Sequence, residues 1–185
     1  MKEKGTPATV SRPELLREGS DALFRQTLND FFAFSRSLES SRAKFAEAVG
    51  LSSTQYMILI AVARNTKAGG LGVNKIAAML HLSGSFVTNE INKLVSAGLV
   101  KKTSDSVDRR RVQLRVTANG ERKVALLATF QRPVNDVLFE SLTAKQLDQL
   151  SEILLCLVKN GERGVRLAAS IPEWFNAGAQ VRVRA

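Results

Sequence analysis

Apolar positions recur at helical spacing along almost all of this chain and alternate with polar ones in one short stretch. From Ser20 or Asp21 onward, Phe24, Leu28, Phe31, Ser35 and Leu38 follow the helical period, with Phe34 and Phe45 near the same face. The spacing predicts a long helix whose phenylalanines serve as core or subunit interface. Gly50 ends it. Ser52, with Gln55 three residues on, writes a capping box, so a second helix starts there and carries Tyr56, Ile58, Leu59 and Val62. After a Gly69-Gly70 loop, residues 73–80 predict a short helix with Ile76, Ala77 and Leu80 inward.

A turn, His81-Leu82-Ser83-Gly84, follows, and Ser83 is the N-cap expected for a helix over residues 84–97. Val87, Ile91, Leu94 and Val95 give that helix one apolar face, and Gly98 suits the left-handed position that stops it. Residues 99–103 read as a strand. Val112, Leu114 and Val116 then alternate with Gln113 and Arg115, the period of a second strand. Residues 104–111 form the polar hairpin tip between them.

Thr117 caps a long helix with the stripe Leu127, Phe130, Val134, Val137 and Leu138, which Pro133 is expected to kink or interrupt. Thr143 and Gln146 form another capping box. The helix they open carries Leu147, Leu150, Leu154 and Leu157 on one face, and Gly161 and Gly164 are expected to close it. The chain thus divides into a loose N-terminal arm (1–18), a helix (19–50), a central domain (51–116), two further helices (117–160) and a C-terminal extension (161–185).

Charge adds a class of partner. The net charge is +10 over 185 residues, and the pI is near 10.3. This balance points to a polyanion, either nucleic acid or an anionic membrane surface. With one cysteine, Cys156, and one histidine, His81, the chain offers neither an internal disulfide nor the ligands of a His/Cys zinc site. Cys156 lies on an apolar helix and reads as inert packing. No phosphate loop, nucleophile elbow or metal cluster appears, so no enzyme, cofactor or metal is expected. The N-terminus lacks a secretory apolar region, and apolar runs such as residues 57–63 are too short to span a bilayer. A cytoplasmic protein with no membrane partner is expected.

The outward face of the helix at 84–97 carries Ser85, Thr88, Asn89, Asn92 and Lys93, good hydrogen-bonding groups with one charge among them. The hairpin after it holds Lys101, Lys102, Arg109, Arg110, Arg111 and Arg115 against Asp105 and Asp108. Residues 71–116 contain eight Lys/Arg and three Asp/Glu, which is +5 of the total +10. Short helix, turn, second helix and hairpin in this order read as a winged helix-turn-helix. In that motif the second helix enters the major groove and reads base edges, while basic groups hold phosphates. The candidate DNA contacts are Ser83, Ser85, Phe86, Thr88, Asn89, Asn92, Lys93, Lys101, Arg109, Arg110 and Arg111. Phe86 either packs on a thymine methyl or folds inward. His81 is either structural or a phosphate contact.

These residues resemble the MarR family of bacterial transcriptional regulators over about 70 residues. The matching pieces are LSSTQYMIL, then LGVNKIAAMLHLSGSFVTNEINKLVSAGLVKK, then DRRRVQLRVTANG. The last piece is the most specific: a wing with Asp108, Arg109, Arg110, Val112 and Leu114, then the Thr117 to Gly120 entry into the next helix. The helix before it matches at Val87, Thr88, Leu94, Gly98, Leu99 and Val100. The resemblance implies a mainly α fold with a small β-hairpin wing, its N- and C-terminal helices forming a homodimer. It also implies double-stranded DNA with a palindromic operator as partner, and repression relieved by a small organic effector. Arg109 or Arg110 would enter the minor groove, unless Asp108 holds Arg110 in an ion pair. For the effector, Phe31, Phe34, Tyr56 and Met57 are the candidate lining, with Arg36 for a carboxylate. The alternative reading is a ligand-independent architectural DNA-binding protein.

Overall fold

A computed structural model describes residues 6–104 and 112–171. Among them the chain forms α1 (Ala22–Ala48), α2 (Ser53–Thr66), α3 (Val73–Leu80), α4 (Gly84–Ser96), β1 (Val100–Ser104), β2 (Val112–Val116), α5 (Ala118–Leu138) and α6 (Ala144–Ala169). They fall into two compact units divided between Asn135 and Asp136. No single helix among the described residues is long and apolar enough to cross a membrane.

The first unit is built around α2. Ile58, Leu59 and Val62 meet Ile76 of α3, Val87, Ile91 and Leu94 of α4, and Leu114 of β2, all at 1% exposure or less. Burial of each such side chain stabilises by about 1.5–3 kcal/mol. β1 and β2 pair antiparallel, Val100 opposite Val116 and Ser104 opposite Val112. Leu71 bridges the other edge of β2, exchanging backbone hydrogen bonds of 3.2 and 3.0 Å with Leu114. The predicted alternation holds at Leu114 and Val116, whereas Val112 is exposed because it lies beyond the reach of the core. A second cluster joins Phe45, Ala46 and Val49 of the α1 end to Tyr56 and Leu127. Lys123 ties α5 to the C-terminal end of α1, its ammonium donating to the Val49 carbonyl at 2.6 Å, where the helix dipole favours a cation.

The helix ends follow from named side chains. Ser52 and Gln55 form the full capping box of α2, and Thr143 and Gln146 form that of α6. After α4, Gly98 takes φ +67°, and Leu99 N–H bonds the Leu94 carbonyl while Gly98 N–H bonds that of Val95. This pair of bonds is the Schellman stop. The α3 stop repeats it with a histidine: His81 sits at φ 52°, ψ 42°, Leu82 N–H reaches Ala77 and His81 N–H reaches Ala78. The histidine is thus the left-handed residue of the turn.

The Thr-x-x-Gly entry to α5 has a direct physical cause. Thr117 Oγ1 donates to the Gly98 carbonyl at 2.6 Å and accepts from Gly120 N–H at 3.1 Å. Thr117 N–H bonds the Leu99 carbonyl. A Cβ on Gly120 would lie 2.1 Å from that same carbonyl oxygen. One threonine and one glycine therefore lock the stop of α4 to the start of α5.

Four expectations change. The arm expected to be loose is tied down at Thr9, whose N–H and Oγ1 both donate to Asp21, at 2.7 and 2.9 Å. Arg25 closes the other side of that buried carboxylate. These bonds, led by the Thr9 backbone N–H, hold the Asp21 carboxyl below its ordinary range. Pro133 does not interrupt α5. Gly161 and Gly164 do not close α6, which runs on to Ala169 and is capped at Ser170; a helical glycine costs only about 1 kcal/mol and the turns on both sides outweigh it. Cys156 is exposed rather than packed, and no residue of α6 is buried.

Gly120→Ala is expected to lower the unfolding free energy by about 2 kcal/mol or more, and Thr117→Ala by about 1 kcal/mol. Chemical denaturation of the purified variants measures both, and a Gly120→Ala variant as stable as the parent would contradict this junction.

Candidate nucleic-acid interface

The outward face of α4 is set by the inward one. With Val87, Ile91 and Leu94 buried, the helical repeat turns Ser85, Thr88, Asn89 and Asn92 to solvent. Ser83 caps the helix, its side chain accepting from Phe86 N–H. Ser85 Oγ lies 3.4 Å from Ser83 Oγ, and Thr88 Oγ1 donates back to the Gly84 carbonyl at 2.7 Å. Phe86 resolves to the outward alternative, at 43% exposure.

Two lysines flank this polar stripe, and both are held. On one side Lys93 Nζ lies 2.6 Å from Glu90 Oε1. Glu90 is buried, and Gln55 Nε2 donates to its other oxygen at 2.9 Å. The Lys93 hydrogen bond first, and Gln55 with it, hold the Glu90 carboxyl below its ordinary range against the opposing effect of burial. On the other side Lys102 Nζ donates to Asn92 Oδ1 at 2.9 Å, joining β1 to α4. Lys101 is exposed on β1. Arg115 is turned to a structural task, donating to the Gly69 carbonyl at 3.0 Å.

Ser83, Ser85, Phe86, Thr88, Asn89, Asn92 and Lys93 thus lie together on α4 and its N-cap, whereas Lys101 sits apart from them on β1, on the strand face opposite Lys102. Arg109, Arg110 and Arg111 lie outside the described residues, as do Asp105 and Asp108. The sequence reading missed Glu90 and Gln55, although the three-residue spacing of Glu90 and Lys93 is a legible ion-pair signal. It also left Lys102 out of the contact set.

The candidate effector residues are scattered. Tyr56 is buried against Phe45, and its hydroxyl is bonded by Gln131. Met57 is half-buried under the Arg42 guanidinium. Phe31 is exposed and Phe34 half-buried. Arg36 lines a hollow of about 450 Å³ along α1 together with Asn29, Phe32, Ser35 and Glu39, and the other four candidates are not among its walls. Among the described residues no group of three His, Cys, Asp or Glu side chains could hold a metal ion.

A family model of the MarR family matches residues 49–111. Among solved structures, the chain is similar to a putative MarR family transcriptional regulator from Listeria monocytogenes complexed with 26mer DNA. The identity is 20% and the TM-score 0.62, over 72% of this chain and 87% of that one. It is also similar to a MarR transcriptional regulator from Methanosarcina mazei, with 21% identity and TM-score 0.58 over 75% and 98%. A third likeness is to mutant MarR from E. coli complexed with operator DNA, with 16% identity and TM-score 0.56 over 70% and 91%. A comparison with curated proteins gives no match. Residues 49–111 thus match the MarR family, and the described residues have the fold of solved MarR-family structures.

Proposed function

We propose that this chain is a homodimeric, sequence-specific DNA-binding transcriptional regulator, acting as a repressor that a small organic ligand releases. One observation carries the reading: α4 presents an exposed stripe of hydrogen-bonding side chains, bracketed by lysines, on a helix whose opposite face is fully buried. Such a face reads base edges, and the basic wing supplies phosphate contacts. Neighbouring folds solved on DNA support the same use of this domain. Dimerisation is supported by apolar side chains left in solvent, among them Phe32 on α1, Val137 on α5 and Val165 on α6, which a second copy would cover. For the effector, the α1 hollow sets the Arg36 guanidinium, which suits a carboxylate or other anionic group, alongside the Glu39 carboxylate, which favours a small organic ligand with both acidic and donor groups. A cytoplasmic location follows from this function.

Arg109→Ala and Arg110→Ala are each expected to weaken duplex binding and to flatten its dependence on log salt by about one unit for each wing that docks. Fluorescence anisotropy over a salt series measures both, and unchanged binding in the two variants would remove the wing from the interface. Sedimentation equilibrium is expected to give twice the chain mass. A monomer at micromolar concentration would contradict the dimer.

A further inference from the structure

Glu90 has no place in a helix built only to attract DNA. It is an acid on the DNA-facing helix, and its side chain is 8% exposed while that of Lys93 is 62% exposed. Burying a carboxylate is costly, and a half-exposed ion pair gains little stability in return. The pair also cancels the helix's own charge, since Glu90 and Lys93 are the only charged residues of α4. The hydrogen bonds explain what this arrangement achieves. Ser52 N–H donates to Gln55 Oε1 at 3.1 Å, Gln55 Nε2 donates to Glu90 Oε2 at 2.9 Å, and Lys93 Nζ donates to Glu90 Oε1 at 2.6 Å. The lysine's ammonium is tethered through this chain to the N-terminus of α2.

Resting on the DNA-binding reading above, we propose that Glu90 is a positioning residue for sequence specificity: it tethers Lys93 and masks its charge, so that the neutral polar stripe of α4 decides which duplex binds. An unmasked lysine at this flank would seize any phosphate, since phosphate contacts carry affinity without sequence information. With Glu90 in place, a phosphate must compete with a carboxylate already bonded to the ammonium. The carboxylate's own charge repels it as well. Glu90 thereby lowers affinity for wrong sequences more than for the right one, whose base contacts do not depend on that charge.

The test uses the full chain, the duplex it selects from a random pool and a scrambled duplex of the same length. Glu90→Gln keeps an oxygen for Gln55 and removes the charge. It is expected to bind the scrambled duplex more tightly, to steepen the salt dependence by about one unit for each α4 that docks, and to narrow the ratio between selected and scrambled duplexes. The double variant Glu90→Gln with Lys93→Met is expected to lose the added slope. A purely structural Glu90 would change melting temperature and leave slope and ratio where they were. That result, or a steeper slope that persists in the double variant, overturns the proposal. Equal binding of the parent chain to both duplexes would instead sink the sequence-specific reading itself, and this inference with it.

Discussion

Three side chains of α4 determine what the rest of the first unit can present. Val87, Ile91 and Leu94 are at 1% exposure or less, and together their burial stabilises by several kcal/mol. A helix anchored that way cannot rotate without dragging all three into water. Ser85, Thr88, Asn89 and Asn92 must therefore face out. The turn before α4 and the stop after it are fixed by two left-handed residues, His81 and Gly98. The hairpin strands are then joined to the same helix by Thr117 and by the Lys102–Asn92 hydrogen bond. Local caps, core packing and strand pairing all point to one orientation, which is the consistency expected of a sequence that specifies a single structure.

Charge is distributed with similar economy. The chain is strongly basic, yet α4 is neutral, and the two lysines beside its polar stripe are each bonded to a neighbour. In the proposed function, affinity and discrimination fall to different parts of the domain. The wing residues would supply the sequence-independent attraction, and the helix the hydrogen-bond donors and acceptors that differ in value from one base pair to the next.

Much of this architecture was legible in the chain. Capping boxes at Ser52 and Thr143, the stop at Gly98 and the buried stripe of α4 rest on local rules, and each is present as read. What escaped depends on tertiary neighbours. Glu90 was not singled out because its partner Gln55 lies thirty-five positions earlier. Arg115 counted as wing charge until the Gly69 carbonyl claimed it. Tyr56 packs on Phe45 and takes a bond from Gln131, seventy-five positions on, which no local pattern shows. Glycines at 161 and 164 suggested a stop, but neither is followed by a left-handed turn, and the helix propagates through both.

Selection of bound duplexes from a random pool at physiological salt tests the central claim most directly. The account predicts a palindrome whose half-sites lie about one helical turn apart, as two winged domains on one dimer require. Recovery of no consensus, with binding that vanishes as salt rises, would contradict it and leave the domain as a sequence-tolerant DNA binder.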